Sequence, residues 1–313
     1  MGQAMSARAA SAAAILLLAT CTAAPMYHDA QSEPVAVPTS QLAAASTGAD
    51  WAAQCEDWDD WDEPAEPFHI FGNTYYVGTC GIASILIAGE EGHVLLDSGT
   101  EAGARIVARN IAAIGADVRD ILLLGYSHEH FDHVGGMAYL QRLSGASLMS
   151  LRAGAETMRI GRSAPADPQA GMHAPFAPVR VDFQQDGGQS IAMENGLLTV
   201  HPTPGHTPGA ASWQWESCEG AVCRTIVYAD SLSAISADGY RFLDHPEYVQ
   251  AFRDGIARLA ALDCDILLTP HPSASGMRDK LMAGDLTGGM DCAGYAADRL
   301  AMLETRLARE AGR

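Results

Sequence analysis

The chain has 313 residues, 48% of them hydrophobic, and carries 19 basic against 38 acidic side chains, a formal charge of −19. That apolar content is enough for one large core, so a single domain is the expected organisation. The acidic field excludes nucleic acid and anionic membrane as expected partners, but not a local anion site, because bound divalent cations reverse the potential around themselves.

Arg8 followed by the apolar run 9–20 reads as a secretory leader, with residues 1–24 removed and 25–313 left as one domain, periplasmic or secreted. Its loss takes one base and no acid, moving the charge to 18 − 38 = −20. The run falls short of the roughly 20 residues that a membrane span needs. Leu18-Ala19-Thr20-Cys21 also offers a lipidation box, although threonine before the cysteine fits such boxes poorly. Without a lipid no membrane partner is expected, and a monomer is. Six cysteines lie beyond the leader: Cys55, Cys80, Cys218, Cys223, Cys264 and Cys292. An even number in an exported chain points to disulfides. Sequence alone favours only the pair Cys218 and Cys223, close neighbours around the turn-like Glu219-Gly220. No C-x-x-C pair exists, which argues against a cysteine zinc site.

Residues 25–66, rich in Ala, Pro, Ser, Asp and Trp, read as an extended arm wrapping the domain. From Phe68 onward, short β-branched and aromatic runs at 74–77, 84–87 and 93–96 are separated by glycine-containing turns and predict successive strands. Thr100 is placed to cap a helix through about residue 113. A buried strand follows at 121–124, a helix at 136–143 and a strand at 147–150. Prolines and glycines at 161–178 predict a surface loop long enough to reach over a neighbouring cleft. Further strands are predicted at 197–201, 211–216 and 225–229. Val249, Phe252, Ile256 and Leu259 then recur at the spacing of an amphipathic helix. A last strand at 266–268 and a helix from 293 to about 308 close the chain. Two groups of strands, each followed by helices, predict an α/β arrangement with helices covering outer faces.

The segment Ser127-His128-Glu129-His130-Phe131-Asp132-His133 directly follows the buried strand at 121–124 and precedes Gly135-Gly136. A turn there lets His128 and His130 point one way while Asp132 and His133 converge on a second point nearby. Imidazole and carboxylate are the ligands that zinc accepts at catalytic sites, where one position stays open for water. Two later histidines share the context. His206 sits in Thr203-Pro204-Gly205-His206-Thr207-Pro208-Gly209 and His271 in Thr269-Pro270-His271-Pro272, each after a predicted strand and each held by prolines. His69, His93, His173, His201 and His245 lack it and are read as structural. An inert zinc-stabilised protein is the competing class, but structural zinc sites are commonly closed by cysteines, and six convergent nitrogen and oxygen ligands fit catalysis better.

These motifs, in this order over residues 68–292, resemble the metallo-β-lactamase superfamily, and within it the chain is most similar to the class B enzymes of subclass 3. The resemblance implies a four-layer αββα sandwich with metals at one edge of the sheets. It places a first zinc on His128, His130 and His206, and a second on Asp132, His133 and His271. Tyr-Ala-Asp-Ser-Leu-Ser at 228–233, the cysteines 264 and 292, and Phe-Gly-Asn-Thr-Tyr-Tyr-Val-Gly at 71–78 match the same subclass. It further implies disulfides Cys55–Cys80, Cys218–Cys223 and Cys264–Cys292. The implied reaction is hydrolysis of the β-lactam amide of penicillins, cephalosporins and carbapenems, small-molecule substrates, by a zinc-bound hydroxide, with Asp132 anchoring the second metal and orienting the nucleophile. Ser231 and Ser233 are the implied binders of the substrate carboxylate, and Tyr240 a hydrogen-bond donor near the developing oxyanion. Gln169 and Phe176 in the long loop are further candidate substrate contacts. The superfamily also holds glyoxalase II-like thioesterases and lactonases, so the metal motif alone does not set the substrate. Asp230 stands where glyoxalase II-like enzymes place a metal-bridging carboxylate. In subclass 3 enzymes that residue is off the metals, and the following serine faces the site.

Overall fold

The computed structural model describes residues 1, 41–44, 46–193 and 196–312. The leader, Cys21 and residues 25–40 of the arm lie outside the described residues. Those from 41 onward all fall within one compact unit, and no helix among them is long and apolar enough to cross a membrane.

The arm is not extended throughout, as the sequence reading had it: helix α1 spans Gly48–Gln54. Its cause is a capping box, in which Thr47 Oγ1 accepts from the Asp50 amide at 3.2 Å and Asp50 Oδ2 accepts from the Thr47 amide at 2.9 Å. The helix is anchored by Trp51, which is fully buried and meets the Tyr76 ring edge-on at 5.5 Å.

The chain then lays down a first sheet of strands β1 (Phe68–Phe71), β2 (Thr74–Tyr76), β3 (Ile85–Ile87), β4 (His93–Leu96), β5 (Ile121–Gly125), β6 (Ser147–Leu151) and β7 (Phe183–Gln185), ordered as in the sequence. β1 to β4 pair antiparallel, whereas β4 to β7 pair parallel. The parallel crossovers carry helices α2 (Gly103–Ala113), α3 (Phe131–Val134), α4 (Met137–Ser144) and α5 (Ala155–Ile160). Thr100 does serve the start of α2, accepting from the Gly103 amide at 3.0 Å. The second sheet runs in order β12-β11-β10-β9-β8. Its members are β8 (Ser190–Met193), β9 (Gly196–Pro202), β10 (Ala211–Glu219), β11 (Val222–Tyr228) and β12 (Ile266–Leu268), with α6 (Pro246–Ala260) between the last two, then α7 (Met277–Met282) and α8 (Cys292–Ala311).

The period-two alternation of the strands sorts their side chains between layers. Tyr76, Ile85 and Leu96 of the first sheet face Trp213, Trp215, Tyr228 and Leu268 of the second in one apolar layer. Leu95 and Leu124 point the other way, onto Val107 and Ile111 of α2 and Leu140 of α4. Val227 and Leu267 meet Val249, Phe252, Ile256 and Leu259 of α6 and Leu303 of α8. The result is an αββα sandwich. Three disulfides staple it: Cys55–Cys80, Cys218–Cys223 and Cys264–Cys292, with Cα separations of 5.2, 4.0 and 5.9 Å.

Candidate metal centre

Every proposed ligand sits just beyond the carboxyl end of a strand. The backbone leaving β5 carries His128 and His130, then enters the single turn of α3, which presents Asp132 and His133. His206 lies in the loop after β9, and His271 follows β12. The His206 loop depends on Gly205, whose φ of +148° and an added Cβ only 2.1 Å from the Phe252 ring exclude any side chain. Glu129 ties the two loops together, accepting from Thr207 Oγ1 at 2.6 Å and from the Gly209 amide at 2.8 Å.

These elements bring the six residues together as two adjoining groups. One ring nitrogen from each of His128, His130 and His206 lies within 4.8 Å of the others. Asp132 Oδ2 is 3.0 Å from His133 Nε2 and 3.4 Å from His271 Nε2, and those two nitrogens are 3.4 Å apart. His128, Asp132 and His133 also share a 4.8 Å neighbourhood, so the groups touch at His128. All but His271 are buried. Among the described residues, His128 Nε2 and Asp132 Oδ1 are sealed from water without a hydrogen-bond partner. Such orphaned polar atoms are costly unless something else satisfies them. Converging imidazole and carboxylate donors with these two open atoms fit divalent metal ions.

The sequence reading missed the partners that aim these ligands. His128 Nδ1 lies 3.0 Å from Asp230 Oδ1, His130 Nε2 lies 3.0 Å from Asp167 Oδ2, and His133 Nδ1 lies 3.2 Å from Asp97 Oδ2. His206 Nδ1 meets the Ser233 carbonyl at 3.1 Å and its hydroxyl at 2.8 Å. Each contact sets one ring nitrogen against a polar neighbour, the kind of arrangement that fixes tautomer and ring orientation at metal centres. Burial, with the neighbouring imidazoles, holds His128 and His206 well below the usual histidine range, so both are neutral and ready to ligate. Burial works against charge at His133 and at Asp132, but their mutual attraction prevails. His133 is raised to about 10, with Asp97 contributing, and the Asp132 carboxyl falls well below its ordinary range. A metal would displace the His133 proton and take over its role beside Asp132.

A family profile described as the metallo-beta-lactamase superfamily matches residues 77–223. The solved MIM-2 metallo-β-lactamase is 54% identical, with 85% of this chain and 99% of that one covered at a TM-score of 0.80. This chain belongs to the metallo-β-lactamase superfamily. It is most like the superfamily's subclass B3 enzymes and is itself an enzyme of that kind. MIM-1 from Novosphingobium pentaromativorans is 44% identical over 84% of this chain and 98% of that one, with a TM-score of 0.81. MEM-A1, a subclass B3 metallo-β-lactamase isolated from a soil metagenome library, is 37% identical over 81% and 99%, with a TM-score of 0.77. A curated relative, a hydroxyacylglutathione hydrolase of Anaeromyxobacter dehalogenans, is 32% identical over 132 residues, 42% of this chain. The chain spans 41% of that relative's length.

Beside the six candidate ligands lies a cavity of about 310 Å³ lined by His130, Asp132, His206 and His271 together with Ser231, Ser233 and Gln169. The long loop reaches it as expected, with Gln169 Nε2 3.3 Å from His206 Nδ1. His173, read above as structural, also lines it and bonds Gln169 Oε1 at 3.2 Å. Trp58 and Trp61 of the arm complete the rim. Two residues expected to contact substrate do not line the cavity. Phe176 is buried in the apolar cluster between the first sheet and its helices, its amide donating to the Gly161 carbonyl after α5 at 2.8 Å, since an apolar ring gains more from that burial than from a wet rim. Tyr240 is also outside the lining, its ring stacked on His245 at 4.6 Å and set against Phe242.

Proposed function

We propose that this enzyme hydrolyses the β-lactam amide of penicillins, cephalosporins and carbapenems, with two zinc ions held by His128, His130 and His206 and by Asp132, His133 and His271. Asp230 carries the choice between this reading and a glyoxalase II-like thioesterase. Its Oδ2 accepts from the Leu232 amide at 2.9 Å and its Oδ1 faces His128 Nδ1 at 3.0 Å, so the carboxylate lies on the far side of the His128 ring from the unpartnered Nε2. Ser231 and Ser233 take the wall of the cavity instead. The named subclass B3 neighbours support the same substrate class.

Zinc bound here supplies a Lewis acid for the lactam carbonyl and lowers the pKa of water toward ~7, so that no activated serine is needed. The protein's own part is positioning. Asp132, which lines the cavity beside His133 and His271, is the carboxylate placed to orient the attacking water. Ser233 Oγ accepts from His206 Nδ1–H and keeps its own proton for the substrate carboxylate, as does the unpartnered Ser231 hydroxyl. The disulfides, with the apolar run after Arg8, support export to the periplasm or beyond.

On the metal-loaded enzyme, opening of a carbapenem or cephalosporin ring is expected to far exceed hydrolysis of S-lactoylglutathione. In the same preparation Asp230→Asn is expected to retain both ions while weakening their affinity roughly 10–100-fold, as for other residues that orient a ligand. A bridging carboxylate would release both ions on that substitution. Thioester cleavage without lactam opening would favour the alternative.

A further inference from the structure

We propose that Arg299, on α8, binds the ring carboxylate of the substrate, an inference that rests on reading the cavity as a β-lactam site. Penicillins, cephalosporins and carbapenems all carry that carboxylate, and a chain with a net charge of −19 repels it. Among the described residues lining the cavity, Arg299 is the single lysine or arginine. Its side chain is only 13% exposed, and its guanidinium lies 4.8 Å over the ring of Tyr295, which holds it flat. Tyr295 in turn donates to the Ser231 carbonyl at 2.8 Å, so Arg299, Tyr295 and Ser231 form one continuous wall.

Two details point to an anion at that wall. Ser231 Oγ is buried, lines the cavity and has no partner among the described residues, a donor that awaits an acceptor. Asp298 engages Arg299 through Nε and Nη2, at 3.1 Å for Nε, which leaves Nη1 of the fork for a second carboxylate. Because stacking already fixes the guanidinium, little side-chain entropy is lost when substrate arrives. Arg299 and Ser231 together offer a charge-assisted contact and a neutral one to the same group.

The test compares a cephalosporin with its carboxylate methyl ester on the zinc-loaded wild type, Arg299→Gln and Arg299→Lys. For the free acid, Arg299→Gln is expected to raise KM roughly tenfold with little change in kcat, the effect of losing one charge-assisted contact made equally in ground and transition states. The ester is expected to be handled alike by all three, and Arg299→Lys to recover part of the loss on the acid. Equal losses on acid and ester, or an unchanged KM for the acid in Arg299→Gln, would overturn the proposal while leaving the β-lactamase reading intact. A wild type that opens no lactam ring would overturn both.

Discussion

Replacing Asp132 by Ala is expected to cut turnover about a thousandfold or more, because it removes the several kcal/mol of transition-state stabilisation that a correctly held metal and an aligned nucleophile provide. Asp132 is the only carboxylate in either ligand group. Its Oδ2 meets both His133 and His271 within 3.4 Å, and its Oδ1 is buried without a partner among the described residues. Losing it leaves two imidazoles to hold the second ion, so zinc content should fall from about two per chain toward one. His69→Ala is the control: that ring sits on β1 against the Gly72 carbonyl at 2.8 Å. Elemental analysis and steady-state rates on both variants check the assignment. Equal effects at the two positions, or full zinc in Asp132→Ala, would show that the ligand set is wrong.

Asp97→Ala is expected to destabilise the metal-free fold by roughly 3–5 kcal/mol, the cost of stripping a partner from a buried charged network. The carboxylate accepts from the Ser127 amide at 2.6 Å, the Ser127 hydroxyl at 2.7 Å and the Tyr228 hydroxyl at 2.6 Å, and it faces His133 Nδ1 at 3.2 Å. It thereby joins the end of β4 to the ligand loop and to β11 of the opposite sheet. Its backbone lies at φ +61°, which asparagine and aspartate tolerate better than alanine. Asp97→Asn is therefore the gentler variant, keeping the backbone and one acceptor, and should lose less stability while still loosening His133. Urea unfolding of the metal-free protein measures the first effect and chelator competition the second. Unchanged stability in Asp97→Ala would mean the network is not what joins the sheets.

The convergence of the six candidate ligands could be read in the sequence because four of them fall within residues 128–133, directly after an apolar run, and the other two repeat that context beside prolines. Local spacing alone carries that pattern. Asp97 and Asp167 were missed because their imidazole partners lie 36 and 37 residues away, and a carboxylate at a strand end or in a loop carries no mark of its target. A buried-strand run ending in Asp97-Ser98-Gly99 was the available signal for the first. Helix α1 had its signal in Thr47 and Asp50, three residues apart, but the surrounding proline- and aspartate-rich composition outweighed it. β8 escaped because Ser190–Met193 is half exposed and makes no buried run. Tyr240 and Phe176 lie in loops whose orientation no spacing encodes, and in the structure one ring stacks on His245 while the other joins the apolar cluster behind the first sheet.

The disulfides also govern what a metal analysis of this protein means. Cys55, Asp59 and Cys80 hold potential donor atoms within 4.8 Å of one another, as do Glu216, Cys218 and Cys223. With their sulfurs joined, neither trio offers a thiolate. Reduction would convert each into a pair of thiols beside a carboxylate, a donor set for which zinc has high affinity. Protein handled in dithiothreitol would then carry ions far from any substrate, and its stoichiometry would overstate the catalytic complement. The redox history of a sample thus becomes part of its zinc count, and only fully oxidised material reports on the hydrolytic centre alone.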